Sequence, residues 1–322
     1  MLVPILLFLL GLVLLIKGGD WFVDGATVIA RKFHLPDILI GATVVSIGTT
    51  LPEVMVSATS AVGGHGEIAY GNAIGSIICN TALIAAITIT FKPAKVDRDT
   101  MKLPVIFFFI ASVLYCLVAY LLGYFYWWVG AILLAIFVVY MFLSVRKALK
   151  TPQIREDDPA EGVSNKQFIK SIILLVVGAA LIAIGADLLV DNGIIIAEAL
   201  GVPEAVIALT FIAIGTSLPE LVTAITSLVK GHGSLSLGNI IGANIFNLVL
   251  VSGLSTVLSP FPVPNNNQIW GINSSLVIDL PIMMLVMVLL TIPSLIRGKL
   301  SRWQGIVLML VYAGFCALQF TI

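Results

Sequence analysis

Charge is scarce in this chain. Of 322 residues, 17 are Lys or Arg and 17 are Asp or Glu, 11% together, where a soluble domain carries about 25%. Such a chain cannot cover a water-facing surface. The equal balance of signs also leaves no basic field to attract nucleic acid. Cysteine and histidine are as sparse, with three of each. Cys79, Cys116 and Cys316 lie in apolar runs without CxxC spacing, so they read as packing residues in a membrane and not as a disulfide or metal set. His34, His65 and His232 fall in or beside loops, where they are expected to be solvated. There is no nucleophile arrangement, cofactor loop or metal-activating histidine set. An enzyme of the soluble type is therefore excluded, and no cofactor is expected.

Apolar residues are abundant: 59% of the chain, with a mean hydropathy of +1.11. A membrane span needs about 20 apolar residues. The runs between polar breaks predict ten, at approximately 2–30, 37–62, 68–91, 103–122, 125–146, 167–192, 203–229, 235–258, 273–295 and 303–321. The first run lacks the basic segment that opens a secretory signal peptide, so it is read as a true helix. Sixteen of the seventeen basic residues lie on the loops after odd-numbered spans, and the exception, Lys17, lies within a span. Under the positive-inside rule those loops are cytoplasmic and both termini lie outside. Tyr124, Phe125, Tyr126, Trp127 and Trp128, in the loop after the fourth span, read as an interfacial aromatic belt.

The chain also repeats itself. A shift of 167 residues brings Asp20 onto Asp187, Asp24 onto Asp191, Glu53 onto Glu220 and Asn80 onto Asn247 without a gap, and 19 of 40 positions match between 41–80 and 208–247. Two copies of five spans each place the second copy upside down in the bilayer. Loop charge agrees, since Arg31 and Lys32 become Glu198 and Ala199 while Gly63 becomes Lys230. The expected fold is therefore all-α and polytopic, with ten transmembrane helices in two inverted five-helix repeats, an architecture of secondary transporters. The first repeat covers 1–149, with its duplicated core at about 37–91. A cytoplasmic linker at 150–166 follows, and the second repeat covers 167–322 with its copy of that core at about 203–258.

The copies match best where they least resemble lipid-facing helices. Gly48-Thr-Thr-Leu-Pro-Glu53 in the second span recurs as Gly215-Thr-Ser-Leu-Pro-Glu220 in the seventh. A glutamate within a span costs several kcal/mol unless something compensates it. Pro52 and Pro219 remove backbone donors, so the carbonyls of Gly48 and Gly215 are expected to lose their helical partners. Irregular backbone at this depth is tolerated where it lines a cavity or is buried in protein. Thr49 and Thr216 precede the glutamates by four residues and share their helix face. Asn72, Ser76 and Asn80 form a stripe on the third span, repeated on the eighth as Asn239, Ala243 and Asn247. Beside the stripes stand the GxxxG pairs Gly71/Gly75 and Gly238/Gly242, which read first as packing devices. Carboxylates, hydroxyls and freed carbonyls make a set of oxygen ligands suited to hard cations, and Ca2+ takes six to eight of them. Asp20 and Asp24, with Lys17 nearby, and their copies Asp187 and Asp191 read as ion pairing near the interface, or as an access path for cations.

Two copies of G-T-[ST]-L-P-E, each followed by G-N-x-x-G-x-x-x-x-N, resemble the bacterial and archaeal branch of the sodium/calcium exchanger (calcium/cation antiporter) superfamily, over the whole ten-span plan. The resemblance implies a Ca2+ site of Thr49, Glu53, Thr216 and Glu220. Na+ would take Thr50, Ser76, Ser217 and the backbone oxygens of Ser46 and Ala213. The asparagines Asn72, Asn80, Asn239 and Asn247 complete the candidate ligand set. Asn247 stands where some members have Asp, as in potassium-independent exchangers, and Ala243 stands where Ser is common. The implied activity is Na+/Ca2+ antiport across the plasma membrane by a monomeric unit in the lipid bilayer, with calcium extruded by the sodium gradient. A proton/calcium antiporter using the same glutamates is the alternative, and a passive cation channel a further one.

Overall fold

The computed structural model describes residues 2–33, 37–93, 95–150, 163–199, 217–265, 268–269 and 271–321. Ten helical segments run through them: α1 (Leu2–Lys32), α2 (37–62), α3 (Gly66–Phe91), α4 (Arg98–Leu122), α5 (Trp127–Lys150), α6 (Asn165–Ala199), α7 (Leu218–Val229), α8 (Gly233–Leu258), α9 (Ser275–Arg297) and α10 (Arg302–Thr321). Seven of them, α1, α3, α4, α5, α6, α8 and α9, are long and apolar enough to cross a membrane. Most of the linker and the first half of the span expected at 203–229 lie outside the described residues, as do His34, Ala213 and Thr216.

Burial sorts the helices into a centre and a margin. In the most apolar stretches of α3 and α8, 72% and 83% of residues are buried, against 22% in α1 and in α6. The central pair carries the main core, in which Ile74, Ile77, Ile240 and Ile245 pack with Phe108, Tyr115 and Met283 of α4 and α9. The marginal pair packs on itself through small residues. A Cβ added to Gly18 would stand 2.9 Å from the carbonyl oxygen of Gly178, and one added to Gly25 would stand 2.6 Å from that of Ser171. Backbones this close are how helices associate without help from water.

Loops after odd-numbered helices meet on one side of the molecule. Val96 donates its N–H to the Gly298 carbonyl at 2.9 Å, Lys147 donates to that of Asp99, and Lys32 to that of Val163 at 3.2 Å. Loops after even-numbered helices meet on the other. The short strand β1 (Tyr124–Phe125) pairs antiparallel with β2 (Phe261–Pro262), and Gly66 at the start of α3 packs on Phe261 with no room for a side chain. The aromatic run therefore divides. Phe125 is fully buried and stacks on Tyr115 at 4.4 Å between ring centroids, whereas Tyr126, Trp127 and Trp128 remain exposed. Strand pairing alternates the side chains, which a belt assignment from composition overlooks.

In the first copy the irregular backbone is not where proline implied, whereas in the second the helix starts beside Pro219 after a non-helical Ser217. Helix α2 continues regularly through Pro52 from Ser46 to Val62, and its departure from α geometry is a π-turn at Gly41–Val45. A π-turn inserts one extra residue and is common at functional sites. Further π-turns stand at Asn80–Ala85 in α3, Asn247–Val251 in α8 and Ser275–Asp279 in α9. Pro219 lies in the first turn of α7, where a missing N–H costs nothing.

Candidate cation site

Helices α2, α3, α7 and α8 bring the two motif copies together. Glu53 from α2 and Glu220 from α7 are both fully buried. Their carboxylates interact electrostatically, and none of the four oxygens has a hydrogen-bond partner among the described residues. The Thr50 and Ser217 hydroxyls and the side-chain amides of Asn80 and Asn247 are also buried without partners there. Thr49 and Thr50 lie beside the Glu220 carboxylate without making a hydrogen bond to it. Ser76 and Ala243 are buried on α3 and α8, one turn before Asn80 and Asn247. Buried polar groups are nearly always satisfied, and an unpaired buried carboxylate costs several kcal/mol. A cluster with two such carboxylates, two hydroxyls and two amides is therefore matched to something that brings positive charge and accepts oxygen ligands. A hard cation fits those requirements. Among the described residues no group of three or more His, Cys, Asp or Glu forms a conventional metal cage, so the oxygen donors are mainly hydroxyl and amide.

The remaining candidates hold the cluster in shape. Ser46 donates its hydroxyl to the Gly41 carbonyl at 2.7 Å, which satisfies an oxygen of the π-turn, and the same hydroxyl lies 2.9 Å from the Asn239 carbonyl. Thr49 donates to Asn239 Oδ1 at 3.3 Å, and Asn239 donates its amide to Thr223 at 2.9 Å. Asn72 donates to Ser57 at 2.8 Å and to the Glu53 carbonyl at 3.3 Å. Asn72 and Asn239 are thus engaged in protein hydrogen bonds, in contrast with Asn80 and Asn247.

Four further residues belong to this framework, and the motif copies alone do not mark them. Ser57 and Thr223 orient the two asparagines. Tyr140 of α5 donates its hydroxyl to the Ala42 carbonyl in the π-turn at 3.1 Å, and Ser252 donates to the Asn247 carbonyl at 3.1 Å. The signal available for Ser57 and Thr223 is their place one turn after each glutamate. Tyr140 carries none, because it comes from a distant helix.

The acidic pair of the first span finds a different partner from the one its spacing suggests. The cation that pairs with Asp20 and Asp24 is Lys230, at 3.3 Å and 2.8 Å, and it comes from the loop between α7 and α8, not from their own helix as Lys17 does. The glycines divide as well. Gly242 and Gly41 are packing residues: a Cβ on Gly242 would run into Ser46 and Ala42, and one on Gly41 into the backbone of α8. Gly75 has no described atom within 4 Å of its would-be Cβ. Beside the cluster a small cavity of about 10 Å³ is bounded by Phe22 of α1, Gly48, Thr49 and Pro52 of α2, Ala179 of α6 and Pro219 of α7.

The model of the family described as "Sodium/calcium exchanger protein" matches residues 3–146 and 170–321. The sodium/calcium exchanger MaX1 of Methanosarcina acetivorans is 32% identical over 99% of both chains. The inner membrane protein YrbG of Escherichia coli is 34% identical over 81% of both. Among solved structures, the sodium-calcium exchanger NCX_Mj soaked in 10 mM Na+ and zero Ca2+ matches with a TM-score of 0.81 and 31% identity over 98% of each chain. Two buried glutamates on duplicated motifs, in a helical membrane fold shared along its whole length with such proteins, lead to one conclusion: this chain belongs to the sodium/calcium exchanger family of membrane transporters.

Proposed function

We propose that this chain is a secondary active antiporter that exchanges Na+ for Ca2+ across the plasma membrane, with Glu53 and Glu220 at the exchange site. The observation that carries the reading is a set of six buried side chains without partners among the described residues, three from each copy of the motif: Glu53, Thr50 and Asn80 with Glu220, Ser217 and Asn247. The two carboxylates neutralise one Ca2+. Thr49 and, by the repeat relation, Thr216 join them at Ca2+, while the Thr50 and Ser217 hydroxyls, Ser76 and the backbone oxygens of Ser46 and, by the same relation, Ala213 serve Na+. Ca2+ and Na+ draw on overlapping oxygens, so occupancy by one excludes the other, and exclusion couples the two fluxes. A monomer suffices for this scheme.

The ten helices are read as two inverted five-helix repeats, 1–149 and 167–322. The division of loops between two sides supports this, since odd loops, which hold the basic residues, meet on one side and even loops on the other. The basic side is cytoplasmic and both termini are outside. The name of the Escherichia coli relative, an inner membrane protein, agrees with a plasma-membrane location. Helices α1 and α6, marginal and joined to each other through glycines, are the pair suited to slide past the fixed centre of α2, α3, α7 and α8.

Calcium uptake into vesicles, driven by an outward Na+ gradient alone or by a pH gradient alone, tests the reading. Na+-driven uptake is the expected result. Uptake driven only by the pH gradient identifies a proton/calcium antiporter that uses the same glutamates, and flux without any counter-ion identifies a channel.

A further inference from the structure

A second intramembrane carboxylate stands apart from the exchange site. Asp279 closes the π-turn that opens α9, within a helix apolar enough to span the membrane. Gln319 of α10 donates its amide to Asp279 Oδ1 at 2.9 Å, and the buried Ser275 hydroxyl is its other polar neighbour. No Lys or Arg forms an ion pair with it among the described residues. The side chain of Tyr70, from the first turns of α3, lies beside Ser275 and within electrostatic reach of Asp279. That side chain is only 3% exposed, and its oxygen has no hydrogen-bond partner among the described residues.

A carboxylate within a span is expensive and calls for a specific partner. Here a neutral amide occupies one oxygen, and an unpartnered phenol is held where a further ligand would complete the set. We infer that Asp279, Ser275 and Tyr70 form a second cation site, separate from Glu53 and Glu220, that takes Na+. One carboxylate balances one positive charge, whereas a divalent ion calls for more anionic oxygen than this cluster has. Ser275, Tyr70 and the backbone of the π-turn add neutral oxygens. The site lies where α3 and α9 begin and α10 ends, on the side of the even-numbered loops.

Na+-dependent thermal stabilisation of the purified full-length chain tests this, with Na+ replacing choline at constant ionic strength. The Glu53→Gln/Glu220→Gln background neutralises the exchange carboxylates, and the part of its Na+ response that Asp279→Asn removes arises elsewhere and does not depend on the exchange reading. The expected result is a rise in Tm of roughly 3 °C toward saturating Na+, lost in Asp279→Asn. Ser275→Ala keeps the carboxylate and its bond to Gln319 and shifts the Na+ midpoint several-fold upward. If the double variant does not fold, the same titration compares wild type with Asp279→Asn at saturating Ca2+. Three results overturn the proposal: no Na+ response in the double variant, a response that Asp279→Asn leaves intact, or stabilisation that follows pH and ignores Na+, the mark of a protonated aspartic acid.

Discussion

The two halves of the cation site share a backbone over the described residues and differ in the partners of their asparagines. Gly64 and Gly231, in equivalent turns, both have φ of +84°. The N–H groups of His65 and His232 reach the carbonyls of Ser60 and Ser227 at 2.8 and 2.7 Å, and both central helices enter a π-turn at the equivalent asparagines, Asn80 and Asn247. Among the described residues the asparagines are held by different partners. Asn239 of the second copy receives Thr49 from the first and donates to Thr223, whereas Asn72 donates to Ser57 and the Glu53 carbonyl. Gly242 is sealed against Ala42 and Ser46 of α2, and positions 209 and 213, which the repeat relation sets against Gly75, lie outside the described residues. Duplication kept the geometry that aims ligands, where a shift of one residue would turn a side chain to another face. It let the brace of the asparagine change, from Ser57 in the first copy to Thr223 in the second.

The glutamates are where symmetry should hold best. Glu53→Gln and Glu220→Gln are each expected to lower Ca2+ affinity by about 100-fold and abolish exchange, since removing one member of a buried charge set costs roughly 3 kcal/mol. Robust transport by either variant in vesicles that contain folded protein removes the paired-carboxylate site.

The asparagines should separate the halves. Asn239→Ala leaves Thr49 and Thr223 without their shared partner and is expected to weaken Ca2+ binding about tenfold, at roughly 1.4 kcal/mol for the lost bonds. Asn72→Ala should cost less, because Asn72 is only partly buried whereas Asn239 is fully buried. Calcium titrations showing equal effects break the distinction.

A glycine sharpens it through stability. Gly242→Ala forces a methyl into Ala42 and Ser46 and should lower stability by about 1–3 kcal/mol, read as a drop in Tm. A smaller, functional asymmetry concerns Ser76 and Ala243. Ala243→Ser restores a hydroxyl to the second copy and should strengthen apparent Na+ affinity a few-fold with less effect on Ca2+. An unchanged Na+ curve means that position 243 does not face the ions. The smallest effect expected is none. With amides at both Asn80 and Asn247, the site holds two fixed negative charges, and Ca2+ exchange should run equally in choline and K+ media.

Much of the site is legible in the chain because it depends on local chemistry repeated in register. Glu53 and Glu220 stand out because a carboxylate in an apolar run is costly unless it has a task, and a second copy at the same register makes coincidence untenable. Asn80 and Asn247 stand out on the same grounds, and both are buried without partners among the described residues. The π-turn at Gly41–Val45 is invisible in the sequence, because proline is a conspicuous helix breaker whereas a one-residue insertion leaves no compositional trace. The pairing of Lys230 with Asp20 and Asp24 joins residues about two hundred positions apart, and i, i+4 reasoning sees only partners within one helix.

By itself the sequence determined the membrane class, the duplicated motif and the residue types that could meet a cation, because hydropathy, register and charge are additive along a chain. Only the tertiary structure decided which of those residues are free to bind. Asn72, Asn239 and Ser46 carry the same chemistry as their neighbours, yet their hydrogen bonds are taken by Ser57, Thr223 and the Gly41 carbonyl. Glu53, Glu220, Asn80 and Asn247 are left without partners among the described residues. Whether a polar group is a ligand or a brace depends on what other helices place within about 3 Å of it, and no spacing within one segment records that.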